Sequence, residues 1–401
     1  MATPTVSVII PTCNRLDMLV RSVGSVLAQT AKPLEIIVVN DAGKAIEETI
    51  KGIDQDGLVR IVNHDSNKGA SAARNSGLAV AKGEYIAYLD DDDLYQPGHL
   101  ETVIPQLHAS SCRFGYAFAE YVIDDIRNGE LMEVGRVQPY TGIPYSHDRL
   151  LVANFIPTPT WVFERSLIAE VGNFDESFAA CEDWEWLIRA SEKTDFLSVQ
   201  AVTVEVRQRL YDEQHLILQH RPKMNMWIRA VYAKHPVESK ALQLARHEHI
   251  TFGSAKDYTP EQQALVTTAF AGAKDGTLDL IGLFNVTETM DATNHRHQSV
   301  ELYRLWLEHT TSPLRHAACF NLGVVAQNLG LMAEAEAMYR EAIKLNPAFG
   351  QALLNLAGVL EQRGSVDEAL ELWRKVVRQE RAAASLAYTQ ATNHLKRYLE
   401  V

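Results

Sequence analysis

The sequence predicts an α/β fold, a doubly wound and mostly parallel sheet, followed by an all-α region of helical repeats. Three observations lead there. Short β-branched runs alternate with helix-period segments through the first 90 residues, polar residues cluster where those runs end, and a 34-residue period marks the last third. Strand and helix in strict alternation is the pattern of parallel βαβ units.

Val6–Ile10 is a β-branched run ended by Pro11, as expected of a strand buried on both faces. Leu16, Leu19, Val20, Val23, Val26 and Leu27 then recur at helical spacing, with Asn14 as the expected N-cap. Glu35–Val39 is the next strand and ends in Asn40-Asp41. A charged, glycine-containing helix and a third strand, Leu58–Val62, follow. The Ala-rich stretch Ala70–Lys82 reads as a helix with Gly83 as its C′ glycine. Tyr85–Leu89 is a fourth strand that runs directly into Asp90-Asp91-Asp92-Asp93. Ligands of such sheets bind beyond the carboxyl ends of the strands. Three polar signals sit there: Thr12-Cys13-Asn14-Arg15, Asn40-Asp41 and the aspartate run.

Composition narrows the function classes. The chain has 401 residues and a formal charge of −13, from 38 basic and 51 acidic side chains. That balance argues against a nucleic-acid binder working by phosphate neutralisation. No apolar run approaches the roughly 18–20 residues that span a bilayer, and the N-terminus shows no basic, then apolar, leader pattern. Cys13, Cys112, Cys181 and Cys319 lie far apart with no CxxC, so free thiols in a reducing compartment are expected. The expected location is the cytoplasm, at most peripheral to the inner membrane.

Neither G-x-G-x-x-G after the first strand nor G-x-x-x-x-G-K-[ST] occurs, so the usual glycine-rich phosphate cradles are missing. The aspartates offer another route. Alternation along an extended chain would set Asp90 and Asp92 on one side. Two carboxylates plus diphosphate oxygens suit Mg2+ or Mn2+, which use few protein ligands. The alternative is an acidic first turn on the next helix.

VSVIIPTCNR, IIVVNDAG, NKGASAARNSG and YIAYLDDDD, in that order, resemble the family 2 glycosyltransferases of the GT-A fold. FIPTPTWVFERSLIAEVGNFDESFAACEDWEWLIR resembles the acceptor half of the same family, including Glu182-Asp183-Trp184. The resemblance covers roughly residues 4–210. It implies that Pro11, Thr12, Asn14 and Arg15 line a nucleotide pocket and that Asp41 hydrogen-bonds a uracil ring. Lys68, Gly69 and Arg74 would lie near the base and phosphates. Asp90 and Asp92 would form the D-x-D pair, with Asp90 near the ribose beside Asp91 and Asp92 the principal ligand of Mn2+ or Mg2+. Asp93 would stand behind them, and Asp183 would be the catalytic base.

The chemistry follows from general principles. Sugar transfer passes through an oxocarbenium-like state, the leaving diphosphate gains charge, and a divalent cation stabilises it. One carboxylate on the opposite face of the sugar can deprotonate the acceptor hydroxyl, which gives inversion. The local sequence leaves Asp183 open to a second role as N-cap of the helix Glu185–Arg189. Of Trp184 and Trp186, one is expected in the core. One departure concerns the metal. An Arg-x-His element of the family corresponds here to Arg207-Gln208-Arg209. Arginine cannot ligate a metal. Arg209 could pair with the diphosphate instead, and His215 and His220 are alternative ligands. His247-Glu248-His249 and His295-Arg296-His297 are expected in solvent.

Segments starting at His316 and Gly350 match at a period of 34: Asn321-Leu322-Gly323 with Asn355-Leu356-Ala357, Gly330 with Gly364, Ala335 with Ala369, Tyr339 with Trp373. They resemble tetratricopeptide repeats. Leu302, Leu305 and Trp306 would belong to a degenerate earlier unit, and Arg381–Val401 to a capping helix. Such repeats imply a protein partner, a homodimer or packing within the chain. The expected domains are 1–215 for the transferase, 216–295 for a helical linker and 296–401 for the repeats.

The leading expectation is an inverting, metal-dependent transferase that takes a UDP-sugar to a glycan or glycoprotein hydroxyl. Thymine presents the same edge to Asp41 as uracil. The rivals are a catalytically weak scaffold whose repeats bind a partner, and a nucleotidyltransferase, whose Gly-rich signature is absent.

Overall fold

The computed structural model describes residues 4–127, 130–209, 223–380 and 386–399. The chain divides into two compact units, Met1–Val237 and Glu238–Val401.

The first unit is built on one mixed sheet. Its elements are β1 (Val6–Thr12), α1 (Leu16–Leu27), β2 (Glu35–Asn40), α2 (Glu47–Ile53), β3 (Val59–Asn63), α3 (Ala70–Val80), β4 (Tyr85–Tyr88), β5 (Leu94–Tyr95) and α4 (His99–His108). Then come β6 (Phe114–Arg127), β7 (Glu130–Val137), α5 (His147–Leu150), β8 (Trp161–Glu164), α6 (Ile168–Val171), α7 (Glu182–Ser191), β9 (Phe196–Arg209) and α8 (Met224–Lys234). The strand order is β3-β2-β1-β4-β8-β6-β9-β5, with β7 paired to β6. The first four strands are mutually parallel, and β8 then runs antiparallel to β4. The parallel quartet is therefore the doubly wound part, and the later strands make the sheet mixed.

Local sequence explains most of the quartet. Every residue of β2 is buried, as its unbroken apolar run requires. α1 buries Leu19, Ser22, Val23 and Val26 on one face. Three local expectations differ. Asn14 does not cap α1: it sits at φ 58° and accepts a hydrogen bond from the Lys44 N–H at 3.0 Å. The third strand is shifted by one residue to Val59–Asn63. Gly83 is not a left-handed C′ residue: α3 ends at Val80, and Ala81 is already extended. Gly83 is needed for close approach, since a Cβ there would stand 2.4 Å from the Ser7 nitrogen.

The short antiparallel pair between β5 and β9 sets Leu94 opposite Glu205 and Tyr95 opposite Val204. Continuing that register brings the aspartates, just before β5, opposite Arg207 and Arg209, at the end of β9.

The second unit is all helical: α9 (Lys240–Phe252), α10 (Pro260–Asp275), α11 (Leu280–Ala292), α12 (Arg296–His309), α13 (Arg315–Asn328), α14 (Met332–Leu345), α15 (Gly350–Gln362), α16 (Val366–Glu380) and α17 (Leu386–Leu399). Trp306, Tyr339 and Trp373 are buried at the expected positions. At the α13–α14 crossing a Cβ on Gly323 would stand 2.6 Å from the Tyr339 ring, so the glycine permits the approach. Gly330 and Gly364 turn at φ 74° and 83°. Of the two histidine triplets only His247 is exposed, as expected. Glu248 is buried and accepts from the backbone N–H groups of Arg296 and His297 at 2.7 and 3.2 Å, with His297 Nδ1 at 2.8 Å. It thereby caps α12 from another helix, which i, i+2 reasoning within α9 could not foresee. No helix among the described residues is long and apolar enough to cross a membrane.

Candidate active site

Four aspartates follow β4, and the fold sorts them. Buried Ser22 of α1 donates to the carbonyl oxygens of Asp90 and Asp93 at 3.1 and 2.5 Å, which fixes the turn. Asp91 and Asp93 point inward and are buried. Asp91 accepts from Thr12 Oγ1 at 2.7 Å and from Arg15 Nη1 at 3.2 Å. Burial, then the Asp92 charge, pushes its carboxyl up to about 6. Asp93 accepts from the Arg207 backbone N–H at 2.8 Å, and burial holds its carboxyl well above the usual range. Asp90 is the more exposed and pairs with Arg74 Nη2 at 2.9 Å. Asp92 faces Arg15 Nη1 at 3.1 Å and Arg209 Nη2 at 3.6 Å.

Arg74 is the hinge of the arrangement. It lies on α3, buried over the Phe174 ring, and its other terminal nitrogen donates to Glu182 Oε1 at 2.8 Å. One guanidinium thus ties the aspartate turn to α7. Beside Glu182, Asp183 lies inside the first turn of α7 rather than at its cap, which falls on Cys181 at φ 62°. Asp183 accepts from Asn154 Nδ2 at 3.0 Å, Thr158 Oγ1 at 3.4 Å and the Trp184 N–H at 2.7 Å. Burial, then the Glu182 charge, pushes its carboxyl up to about 6, against the pull of Arg74.

The remaining expected residues divide. Thr12 and Arg15 stand at the aspartates, as their place after β1 demands. Pro11 lies within β1, and the Asn14 side chain turns to Lys44. Asp41 is buried and fully engaged. It accepts from the N–H groups of Lys68 at 2.8 Å and Gly69 at 2.8 Å, and His64 Nδ1 lies 2.7 Å away. Gly69, at φ 88°, precedes α3, so Asp41 tethers the start of that helix. The Lys68 side chain is exposed.

Sequence reasoning missed Asn154 and Thr158, which lie in an irregular stretch where no periodicity points inward. It also missed Glu185. That residue is fully buried and gathers Arg189, Lys234 and His235 within 2.8–3.1 Å, pinning α8 to α7. Both Trp184 and Trp186 are core, their indole N–H groups donating to Leu150 O and Gly172 O at 2.6 and 2.9 Å. His215 and His220 lie outside the described residues.

The donor set does not suit Mn2+ or Mg2+ as it stands. Among the described residues no group of three or more His, Cys, Asp or Glu side chains could hold a metal, so an ion would rest on the Asp90 and Asp92 carboxylates alone. Asp92 already faces two guanidinium groups and Asp90 a third.

Residues 7–172 match the family model for glycosyl transferase family 2, and residues 316–349 and 350–378 match tetratricopeptide repeat models. A protein of Bacillus subtilis named as an uncharacterized glycosyltransferase, YwdF, is 32% identical over 188 residues, 47% of this chain and 68% of its own length. The chain belongs to glycosyl transferase family 2. The putative colanic acid biosynthesis glycosyl transferase WcaA of Escherichia coli is 30% identical over 193 residues, 46% of this chain and 66% of its own length. Alignments with these relatives thus span about two thirds of each. The fold of this glycosyltransferase is shared by Staphylococcus aureus TarS 1–349, solved in complex with UDP-GlcNAc. The match has a TM-score of 0.50 and 15% identity, and covers 85% of this chain and 90% of that one.

Proposed function

We propose that the protein moves a sugar from a nucleoside diphosphate donor to a hydroxyl of a glycan or glycoprotein, by single displacement with inversion. The observation that supports this most directly is the Arg74 bridge. It brings an aspartate of the strand-end turn and the helix carrying Asp183 to one guanidinium, so a donor at the strand ends and an acceptor at Asp183 would share one cleft.

In the reaction, the bond from the anomeric carbon to the diphosphate oxygen breaks and its electron pair leaves with the diphosphate. A bond forms from the acceptor oxygen to the opposite face of that carbon. The hydroxyl proton passes to Asp183. Asn154 and Thr158 hold the receiving carboxylate by neutral donors, so it is oriented without being quenched. A carboxyl near 6 is ionised at neutral pH and still basic enough to take part of a proton in the transition state.

UDP is the donor nucleotide we favour, with dTDP its nearest rival. TarS, which shares the fold, was solved with UDP-GlcNAc. Asp41 serves this reading by setting the start of α3 rather than by meeting the base. For the repeats we keep the role of binding a protein segment or a second copy of the chain, as helical repeats of this kind commonly do. The test is a panel of nucleotide sugars with release of nucleoside diphosphate as readout. Slow turnover of one UDP- or dTDP-sugar is expected, and silence across the panel would defeat the proposal.

A further inference from the structure

The stretch that carries Asn154 has no regular structure of its own, yet its amide must stand still to orient a base. Part of the hold is local. The N–H groups of Val152 and Ala153 donate to the Arg149 carbonyl at 3.0 and 2.9 Å, continuing the turn of α5. Asn154 Oδ1 accepts from the Ile156 N–H at 3.0 Å, which sets the amide so that its Nδ2 faces Asp183. A further hold comes from α8. Tyr232 donates from its hydroxyl to the Val152 carbonyl at 2.7 Å. Its ring meets Trp184 edge to face, with centroids 5.6 Å apart. Trp184 is the residue whose backbone N–H donates to Asp183 and whose indole donates to Leu150 O, at the end of α5. One side chain therefore touches two supports of the Asp183 carboxylate: the loop that supplies the amide and the residue that supplies the backbone N–H. α8 is itself seated separately, by Lys234 and His235 on buried Glu185.

We infer that Tyr232 is a positioning residue for the transfer, holding the stretch 152–154 where the Asn154 amide reaches Asp183. This rests on the reading of Asp183 as the base and deepens it. Tyr232 lies in the first unit but past residue 215, where the sequence places the end of the transferase, and past the matched residues 7–172. The machinery around the base thus runs on into α8. A carbonyl in an irregular loop has no ladder to place it, so a phenol on a seated helix is an effective tether. The charges that act on Asp183 come from Glu182, Arg74 and Asp90. The Cys181 thiol and the Tyr121 hydroxyl also feel Asp183, and burial pushes both up, so they stay protonated at neutral and acidic pH. Removing the Tyr232 hydroxyl alters none of these groups and reaches Asp183 only through the loop.

Tyr232→Phe keeps the ring on Trp184 and removes only the bond to Val152. Parent and variant, each the full chain and confirmed folded by circular dichroism, are followed from about pH 5 to 9. The readout is release of nucleoside diphosphate from the UDP- or dTDP-sugar that turns over in the panel. The acidic limb of kcat is expected to move up, by no more than the half unit or so expected of Asn154→Ala, since the hydroxyl acts through that amide. That is roughly a two- to threefold loss of kcat well below pH 6, fading above pH 8, with the donor KM and UDP affinity by calorimetry unchanged. In an Asn154→Ala background the same substitution is expected to change little, because the amide it positions is gone. A parental profile, an equal loss at every pH, or an equal loss in both backgrounds would each overturn the inference and leave the donor reading intact. Turnover retained in Asp183→Asn would overturn the reading of the base, and this inference with it. Silence of the parent chain across the panel would overturn the donor reading and the inference together.

Discussion

The two sides of the cleft handle carboxylates in opposite ways. At the strand ends, Asp90 and Asp92 each face guanidinium groups, and Asp91 shares Arg15. Across the cleft, Asp183 is held by an amide, a hydroxyl and a backbone N–H, and the charge that acts on it most strongly is that of another carboxylate, Glu182. Paired charge fixes the aspartates as a framework for a ligand. Neutral donors fix Asp183 while leaving it a proton acceptor. The same residue type is thus a paired anion on one side and, in the proposed reaction, the base on the other, decided by what surrounds it.

The sharpest way to break that contrast is Asp183→Asn. It keeps the shape and most hydrogen bonds of the side chain and removes its basicity. Transfer is expected to fall by about 10²–10⁴-fold, while UDP affinity by calorimetry stays unchanged. Retained turnover would move the base elsewhere, and lost UDP affinity would place Asp183 on the donor side.

The strand-end side was far more legible in the sequence than its counterpart. β1 and β2 announce themselves as β-branched runs and β4 as a short aromatic and apolar one, and the aspartates follow the last of them without a break. Periodicity also exposed the repeats, because Gly323, Gly330 and Tyr339 recur 34 residues on as Ala357, Gly364 and Trp373. What was hidden depends on long-range pairing. No local pattern reveals that Arg74 reaches Glu182, 108 positions away, or that Asn154 turns to Asp183. The irregular stretch carrying Asn154 has no period, so nothing in it separates an inward side chain from an outward one. Asp41 shows the reverse case: its place at the end of β2 was clear, but its hydrogen bonds to the N–H groups of Lys68 and Gly69, in another loop, were not.

Arg74 is where the two sides can be uncoupled. Arg74→Gln would leave Glu182 beside Asp183 without its counter-ion and free Asp90. Breaking a buried ion pair from one partner costs about 3–5 kcal/mol. The lower end is expected here, because Asp90 has 32% of its side chain exposed and can be rehydrated. Urea denaturation should show that loss, and the transfer rate should fall with it. A variant with parental stability and activity would mean that the two sides are held together by packing alone.

The smallest effect, and the finest probe of the contrast, is the pH profile. Asp183 works as a base only when ionised, so kcat should be maximal above about 6 and fall as pH drops through that value. The Asn154 amide donates to the carboxylate at 3.0 Å and favours its ionised form. Asn154→Ala removes that preference, so the acidic limb should move up, by about half a unit if the bond contributes near 0.7 kcal/mol. Near pH 6 that is roughly a twofold loss of rate, rising towards threefold at lower pH and fading above pH 8 where both enzymes are fully ionised. A variant that loses rate equally at every pH would show Asn154 to be a matter of geometry alone. A profile that instead fell as pH rose through this range would mean that the group read in it acts as an acid, and would reverse the assignment of the two sides.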